Sequence, residues 1–383
     1  MMQTTSQLEL SQSALQTNIS FIKKILGETQ LSSVVKGNAY GHGLELFCQM
    51  LYKTGVRHFS VFSANEAHSV LNCIPKDITV MVMGFLDNDQ IAWAIENEVE
   101  LFVFESDRLD KAIELSKQIK KPARIHIEIE TGMNRTGFSR KSIKQLFQQL
   151  EENKSFIKVC GVCSHLAGAE SIANYKRLDL QYERFKRVQK QLNELNWLET
   201  SYHLACSAAI IQYPKTRMNL ARVGILQYGF FPSNEVMVQY LTKHKTKEIP
   251  LKRVISWKTR IMDVKEVNAG EFIGYGTSFF TNSKTKIAIL PIGYSHGFAR
   301  SLSNHGKVLI RGKRFDVIGI VNMNMTVVDI TECDSIDKGE EVVLIGHQGN
   351  LEISVSSFGN FSDMVNYELL TRLPASISRK IIA

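Results

Sequence analysis

Eight short apolar runs recur between residues 31 and 229, and amphipathic helical stretches fill the gaps between them. The runs are "LSSVV" (31–35), "FSVF" (59–62), "TVMVMG" (79–84), "LFVF" (101–104), "RIHIEI" (124–129), "VCGVCSHL" (159–166), "YHLACS" (202–207) and "ARVGILQYG" (221–229). Stretches such as "DRLDKAIELSKQIK" and "SRKSIKQLFQQLEEN" show the helical period, and a first helix opens near Ser13, with Leu15, Ile19, Ile22 and Leu26 on one face and Gly27 as its stop. Strand and helix alternating eight times is the pattern of an α/β chain closed into a (β/α)8 TIM-type barrel; a doubly wound open sheet is the alternative. After about residue 240 the texture changes. "VISWKTRIMDV", "TKIAILPIGY", "KVLIRGKRFDVIGIVNMNMTVVDI" and "EEVVLIG" are strand-rich and turn-punctuated, and "SDMVNYELLTRL" (362–373) reads as a closing helix. The reading is therefore a barrel over 1–240, whose first ten or so residues are candidates to join the second domain, and a mainly-β domain over 241–383.

Composition narrows the class. The chain is 44% hydrophobic and 22% charged, enough for a large core without disulfides. Its six cysteines are scattered, and the Cys160/Cys163 pair lies inside an apolar run with no second pair at zinc-binding spacing, so buried strand thiols are expected and no metal. Net charge is +8, but the densest basic stretch is "KHKTK" (243–247), with no aromatic-interleaved basic helix to engage nucleic acid. No leader pattern and no bilayer-length apolar run occur in the sequence, which leads to an expectation of a cytoplasmic chain with no membrane partner.

In barrels of this kind reactive groups sit where strands end and loops begin. "VVKGNAYGHG" (34–43) puts Lys36 at such a junction, followed by a glycine-punctuated turn. Most lysines are solvated and snorkel. One at the mouth of a core can instead have its pKa lowered by burial, which makes its amine able to condense with an aldehyde. The other strand ends bring Arg135, His165, Ser207, Arg222, Gly224 and Ile225 to the same rim, and the last two strands are the usual phosphate cradle of the fold. A lysine beside a phosphate cradle points to pyridoxal phosphate (PLP).

These stretches, with "ETGMNRTGF", "CSHLAG", "FIGYGTSF", "LPIGYSHGFAR" and "IVNMNM" following in order, resemble the alanine racemase family over nearly the whole length. The resemblance implies a homodimer with shared active sites that interconverts L- and D-alanine and supplies D-alanine for peptidoglycan. It implies that Lys36 holds PLP covalently and is the base for the D-isomer, while Tyr275, donated by the partner subunit, is the base for the L-isomer. A tyrosine of ordinary pKa near 10 needs help to ionise, and His165 and Arg222 are the cations expected to give it. Arg222 would face the pyridine nitrogen. Tyr40, Ser207, Gly224 and Ile225 would hold the phosphate, Arg135 and the Met323 backbone the substrate carboxylate, and Tyr294 would narrow the entrance.

Glu128 stands where many members carry a carbamylated lysine. Alternation in "RIHIEIE" turns His126, Glu128 and Glu130 into the barrel, so Glu128 is expected to pair with Arg135. Cys206, Asn322, Asn324 and Ala375 also depart from common family residues, which bears on cofactor affinity and substrate breadth. Alternative readings are a broader racemase acting on serine, a related barrel decarboxylase, or a non-catalytic PLP-binding protein. The last two fit poorly with the "GYG" tyrosine and the second domain.

Overall fold

The computed structural model describes residues 5–193, 200–333, 335–355 and 366–383. The chain forms two compact units, one of Ala14–Gly37 and Leu44–Lys252, the other containing Asn38–Gly43 and the chain from Arg253 onward together with the first strand.

That first strand, β1 (Ser6–Ser11), is followed by the eight strands of the larger unit: β2 (Gln30–Val34), β3 (His58–Val61), β4 (Thr79–Val82), β5 (Glu100–Val103), β6 (Ala123–Glu128), β7 (Ile157–Cys163), β8 (Ser201–His203) and β9 (Leu220–Val223). All eight fall on the apolar runs. From β2 to β8 each pairs in parallel with its successor, and β9 pairs back on β2. Two backbone bonds, Asn219 N–H to Tyr202 O (3.2 Å) and Arg222 N–H to Ala205 O (3.0 Å), join β8 to β9. The sheet is thus a nearly closed barrel, and the doubly wound alternative, which needs a reversal of strand order, does not apply. The last two strands are shorter than the apolar runs suggest. "YHLACS" bends into the helix Ser207–Gln212, and "ARVGILQYG" passes into the 3-10 turn Ile225–Tyr228.

The expected boundary near residue 240 falls inside the helix Asn234–His244. The division lies at Lys252–Arg253 instead. Asn18 is the physical reason: its buried amide donates to Lys252 O at 2.7 Å and accepts from Lys252 N–H at 2.8 Å, which ties that segment to the barrel's first helix.

The smaller unit carries β10 (Ile255–Arg260), β11 (Asp263–Val267), β12 (Thr285–Leu290), β13 (Lys307–Ile310), β14 (Lys313–Ile318), β15 (Thr326–Asp329), β16 (Glu341–Gln348), β17 (Leu351–Ile353) and β18 (Ser378–Ile382). β1 lies between β10, antiparallel, and β18, parallel, and buries Leu8 and Leu10. Its Ser6 hydroxyl accepts from the indole of the fully buried Trp257 at 3.1 Å. The closing helix is Asn366–Thr371; residues 362–365 of the expected helix lie outside the described residues. No described helix is long and apolar enough to cross a membrane.

Candidate active site

Lys36 follows β2 by two residues and opens a turn, Lys36–Tyr40, of unusual hand. Gly37, Asn38, Ala39 and Tyr40 have φ of 64°, 54°, 51° and 50°, and Gly41 has 79°. Each non-glycine residue in this left-handed region costs roughly 1–2 kcal/mol, so the segment holds this shape only because its surroundings impose it. Residues 38–43 belong to the smaller unit, where Arg379 Nη2 donates to Gly41 O at 2.9 Å. A side chain at Gly41 would overlap the Leu370 carbonyl. Tyr40, half-buried, therefore sits in this clasped segment.

On the barrel side, the end of β2 is held from the opposite side of the strand order. Gln227 Nε2 and Tyr228 Oη both donate to Val34 O, at 2.8 and 3.0 Å, and Ser33 Oγ donates to Gln227 Oε1 at 2.6 Å. Tyr228 stacks on Phe47 with centroids 4.6 Å apart. These bonds fix the turn Ile225–Tyr228 against the strand that leads to Lys36. Gly224 N–H donates to Ser207 Oγ at 3.0 Å, so Ser207, Gly224 and Ile225, all expected at a phosphate, stand together.

Lys36 retains solvent access as a residue, yet burial still ranks first among the causes that lower its amine pKa. Arg135 and Arg222 lower it further, and Glu66 opposes them. Glu66 was not among the expected site residues. One of its oxygens accepts Gly37 N–H at 2.7 Å and the other Phe62 N–H at 2.8 Å, so it braces the residue after the lysine. Ser63-Ala64-Asn65-Glu66 has the spacing of a helix capping box, which is the signal that could have found it.

Arg222 is buried, and its Nη2 donates to Ser164 O at 2.6 Å. His165 lies next to that carbonyl. Burial, then Arg222, Arg135 and Lys36, push its pKa down to about 3. An imidazole with that pKa is neutral at pH 7, which does not fit the cationic role expected of His165.

Glu128 is buried, as the alternation required, but it does not pair with Arg135. Its Oε2 accepts the hydroxyl of Thr136, the next residue, at 2.7 Å. Arg135 is exposed and makes no ion pair with it. Glu130 is turned to the loop rather than to the interior. It accepts Gly132 N–H, Asn134 N–H (2.7 Å) and Arg135 N–H (3.3 Å), so this carboxylate shapes the loop that presents Arg135.

Within the smaller unit, Tyr275, Tyr294 and Met323 line one cleft of about 450 Å³ with Arg300, Asn322 and Asn324. Tyr275 is at the tip of the β11–β12 connection, flanked by Gly274 and Gly276, and is 73% exposed. Ser295 N–H and Oγ–H both donate to Met323 O, at 3.0 and 2.7 Å. Asn324 Nδ2 donates to the same hydroxyl at 2.9 Å. A carboxylate at 324 could only accept from that hydroxyl, which already donates to Met323, so asparagine suits the bond pattern. Among the described residues no group takes the Met323 N–H, and no cluster of metal-ligating side chains occurs.

Two family profiles, described as the N-terminal and C-terminal domains of alanine racemase, match residues 10–232 and 254–381. The chain belongs to the alanine racemase family. The alanine racemase of Leptospira interrogans is 30% identical over 379 residues, covering 99% of this chain and 96% of that protein. The alanine racemase structure from Clostridium difficile 630 superposes with a TM-score of 0.90 at 27% identity, covering 100% of this chain and 97% of the other. The alanine racemase of Bartonella henselae with covalently bound pyridoxal phosphate gives 0.84 at 25% identity, covering 99% and 100%. The two profiles leave residues 233–253 unmatched, a segment that contains the helix Asn234–His244 and the end of the barrel unit.

Proposed function

We propose that the protein is a PLP-dependent alanine racemase, a cytoplasmic homodimer that supplies D-alanine for peptidoglycan. The observation that carries this reading is a lysine amine desolvated at a strand end beside two guanidinium groups, with a serine hydroxyl and two backbone amides grouped at the last strand turns. That donor set fits the cofactor: an amine that loses its proton readily, an arginine for the ring, and neutral donors for a phosphate. When bound, PLP supplies the electron sink that makes the substrate α-proton acidic.

Lys36 would hold the cofactor and carry the proton of the D-isomer. Tyr275 of the partner subunit would carry that of the L-isomer from the opposite face, since racemisation needs an acid/base on each side. Arg222 would give the ring nitrogen a hydrogen bond without a full proton, since a guanidinium does not deprotonate in proteins, and this would temper the sink and limit side reactions. Ser207, Gly224, Ile225 and Tyr40 would hold the phosphate. Arg135 and the Met323 N–H would orient the substrate carboxylate, and Tyr294 would narrow the entrance. His165, held neutral, would help seat Arg222 without adding charge.

Pure protein supplied with PLP and L-alanine should lose optical rotation until both enantiomers are equal; unchanged rotation would sink the assignment. A panel of single-enantiomer amino acids separates strict alanine use from serine racemisation.

Glu128 gives a second test. Its carboxylate needs no modification, so activity should be indifferent to removal of bicarbonate. Glu128→Gln keeps an acceptor for Thr136 but turns a charge-assisted bond into a neutral one. The expected stability loss is on the order of 1 kcal/mol, with KM for alanine changed less than about threefold. A larger rise in KM, with the fold intact by circular dichroism, would mean that Glu128 acts on Arg135 in the working enzyme.

A further inference from the structure

Below the rim, the barrel interior holds a line of polar side chains that the reading above does not use. Glu100 on β5 is buried; its Oε1 accepts from Arg124 at 2.8 Å and its Oε2 lies 2.8 Å from His126 Nε2 and 3.5 Å from His58 Nε2. His126 on β6 meets His203 on β8, with Nδ1 to Nε2 at 2.9 Å. β7 runs between them, and the residue it places there is Gly161. A Cβ on Gly161 would overlap His126 Nδ1 and stand 2.9 Å from His203 Nε2. The bond between the two imidazoles passes through the space a side chain would fill.

The protons along this line follow from its first member. A carboxylate only accepts, so His126 donates from Nε2. Burial lowers the pKa of His126 while the Glu100 bond and charge raise it; in the neutral ring that donates from Nε2, Nδ1 is an acceptor. His203 must then donate from Nε2. Burial and the Arg222 charge hold His203 neutral as well, so its Nδ1 carries a lone pair. That Nδ1 is buried and has no partner among the described residues. Phe102 stands beside all three groups: Arg222 Cζ is 5.7 Å from its ring, and the His203 and His126 rings are each 6.0 Å from it.

We infer that Glu100, acting through His126 across the gap at Gly161, sets the tautomer of His203, so that its buried Nδ1 turns a lone pair rather than an N–H dipole toward the surroundings it shares with Arg222 around Phe102. Glu100 and His126 are positioning residues. They touch neither substrate nor cofactor and act on Arg222 from the barrel floor. The inference rests on the proposed function for its effect on the cofactor ring, but the tautomers themselves do not depend on it.

The test starts with the wild-type holoenzyme carrying 15N-labelled histidine. Its imidazole signals are assigned with His126→Gln and His203→Gln, and both rings should carry the proton on Nε2. A proton on His203 Nδ1 would overturn the inference at once. Glu100→Gln is the second arm. Arg124 retains the amide oxygen, so the NH2 faces His126 and the chain should invert, moving the proton of both rings to Nδ1. The absorption band of the bound cofactor should shift, and kcat should fall by about tenfold or more with little change in KM, the scale on which outer partners of functional histidines act. Gly161→Ala is the third arm. It should leave His126 as Nε2–H while releasing His203 to a mixture of tautomers. Unchanged tautomers in both variants would overturn the relay. Inverted tautomers with an unmoved cofactor band and kcat would overturn its action on Arg222. A protein that shows the wild-type tautomers but racemises nothing would count against the proposed function alone.

Discussion

Lys36→Ala is expected to abolish racemisation and covalent cofactor attachment together. The loss should exceed about 10⁴-fold, the upper range for a single positioned acid–base group, because this residue is proposed to be both base and anchor. Borohydride treatment of the wild-type protein with PLP should fix the cofactor on the peptide that contains "VVKGNAYGHG". Modification of any other lysine would refute the assignment. The fold should survive, since the amine makes no ion pair among the described residues and its removal relieves rather than creates a desolvated charge. The depressed pKa adds a check on pH. An amine whose pKa lies below the usual lysine range is deprotonated at lower pH, so cofactor capture should stay rapid at pH values where a peptide lysine reacts slowly.

Tyr275→Phe should remove one proton route and keep the other. Exchange of α-deuterium from L-alanine in the first turnover should drop by about 10²–10⁴-fold, with exchange from D-alanine much less affected. Equal losses would mean that the two faces are wrongly assigned. Complementation tests whether that tyrosine comes from the partner. Neither Lys36→Ala nor Tyr275→Phe should work alone. Unfolded together and refolded in equal amounts, they should recover at most about a quarter of wild-type activity, since half of the dimers are mixed and one of two sites in each is intact. No recovery from demonstrated mixed dimers would place both bases in one chain.

Much of the architecture was legible because the barrel repeats one physical unit. The apolar runs become strands of the barrel, and the run at 101–104 has no polar gap that would suggest anything else. Lys36, Arg135 and Arg222 could be proposed as site residues because strand ends are where this fold puts its chemistry. What stayed hidden depends on partners far apart in the chain. The boundary near residue 252 rests on Asn18, 234 residues away. The Glu100–His126–His203 line joins residues 26 and 77 apart, and no local period marks them as neighbours. Glu128 was placed correctly in the interior by alternation, but alternation says nothing of which donor reaches it, and the adjacent Thr136 hydroxyl does so before Arg135 can. The hand of the turn after Lys36 was masked for another reason: glycines bracket it, but Asn38, Ala39 and Tyr40 adopt positive φ only under tertiary constraint.

That turn also orders events during synthesis. Gly41 is made early, but the Arg379 side chain that clasps its carbonyl comes 338 residues later. At about 5–20 residues per second, roughly 17–68 s separate the two. During that interval a nascent barrel can fold around its lysine while the loop beyond it stays unset. The loop beyond Lys36 thus gains its last tether only when Arg379 has been made, and a chain broken off before that residue would lack the bond to Gly41 O.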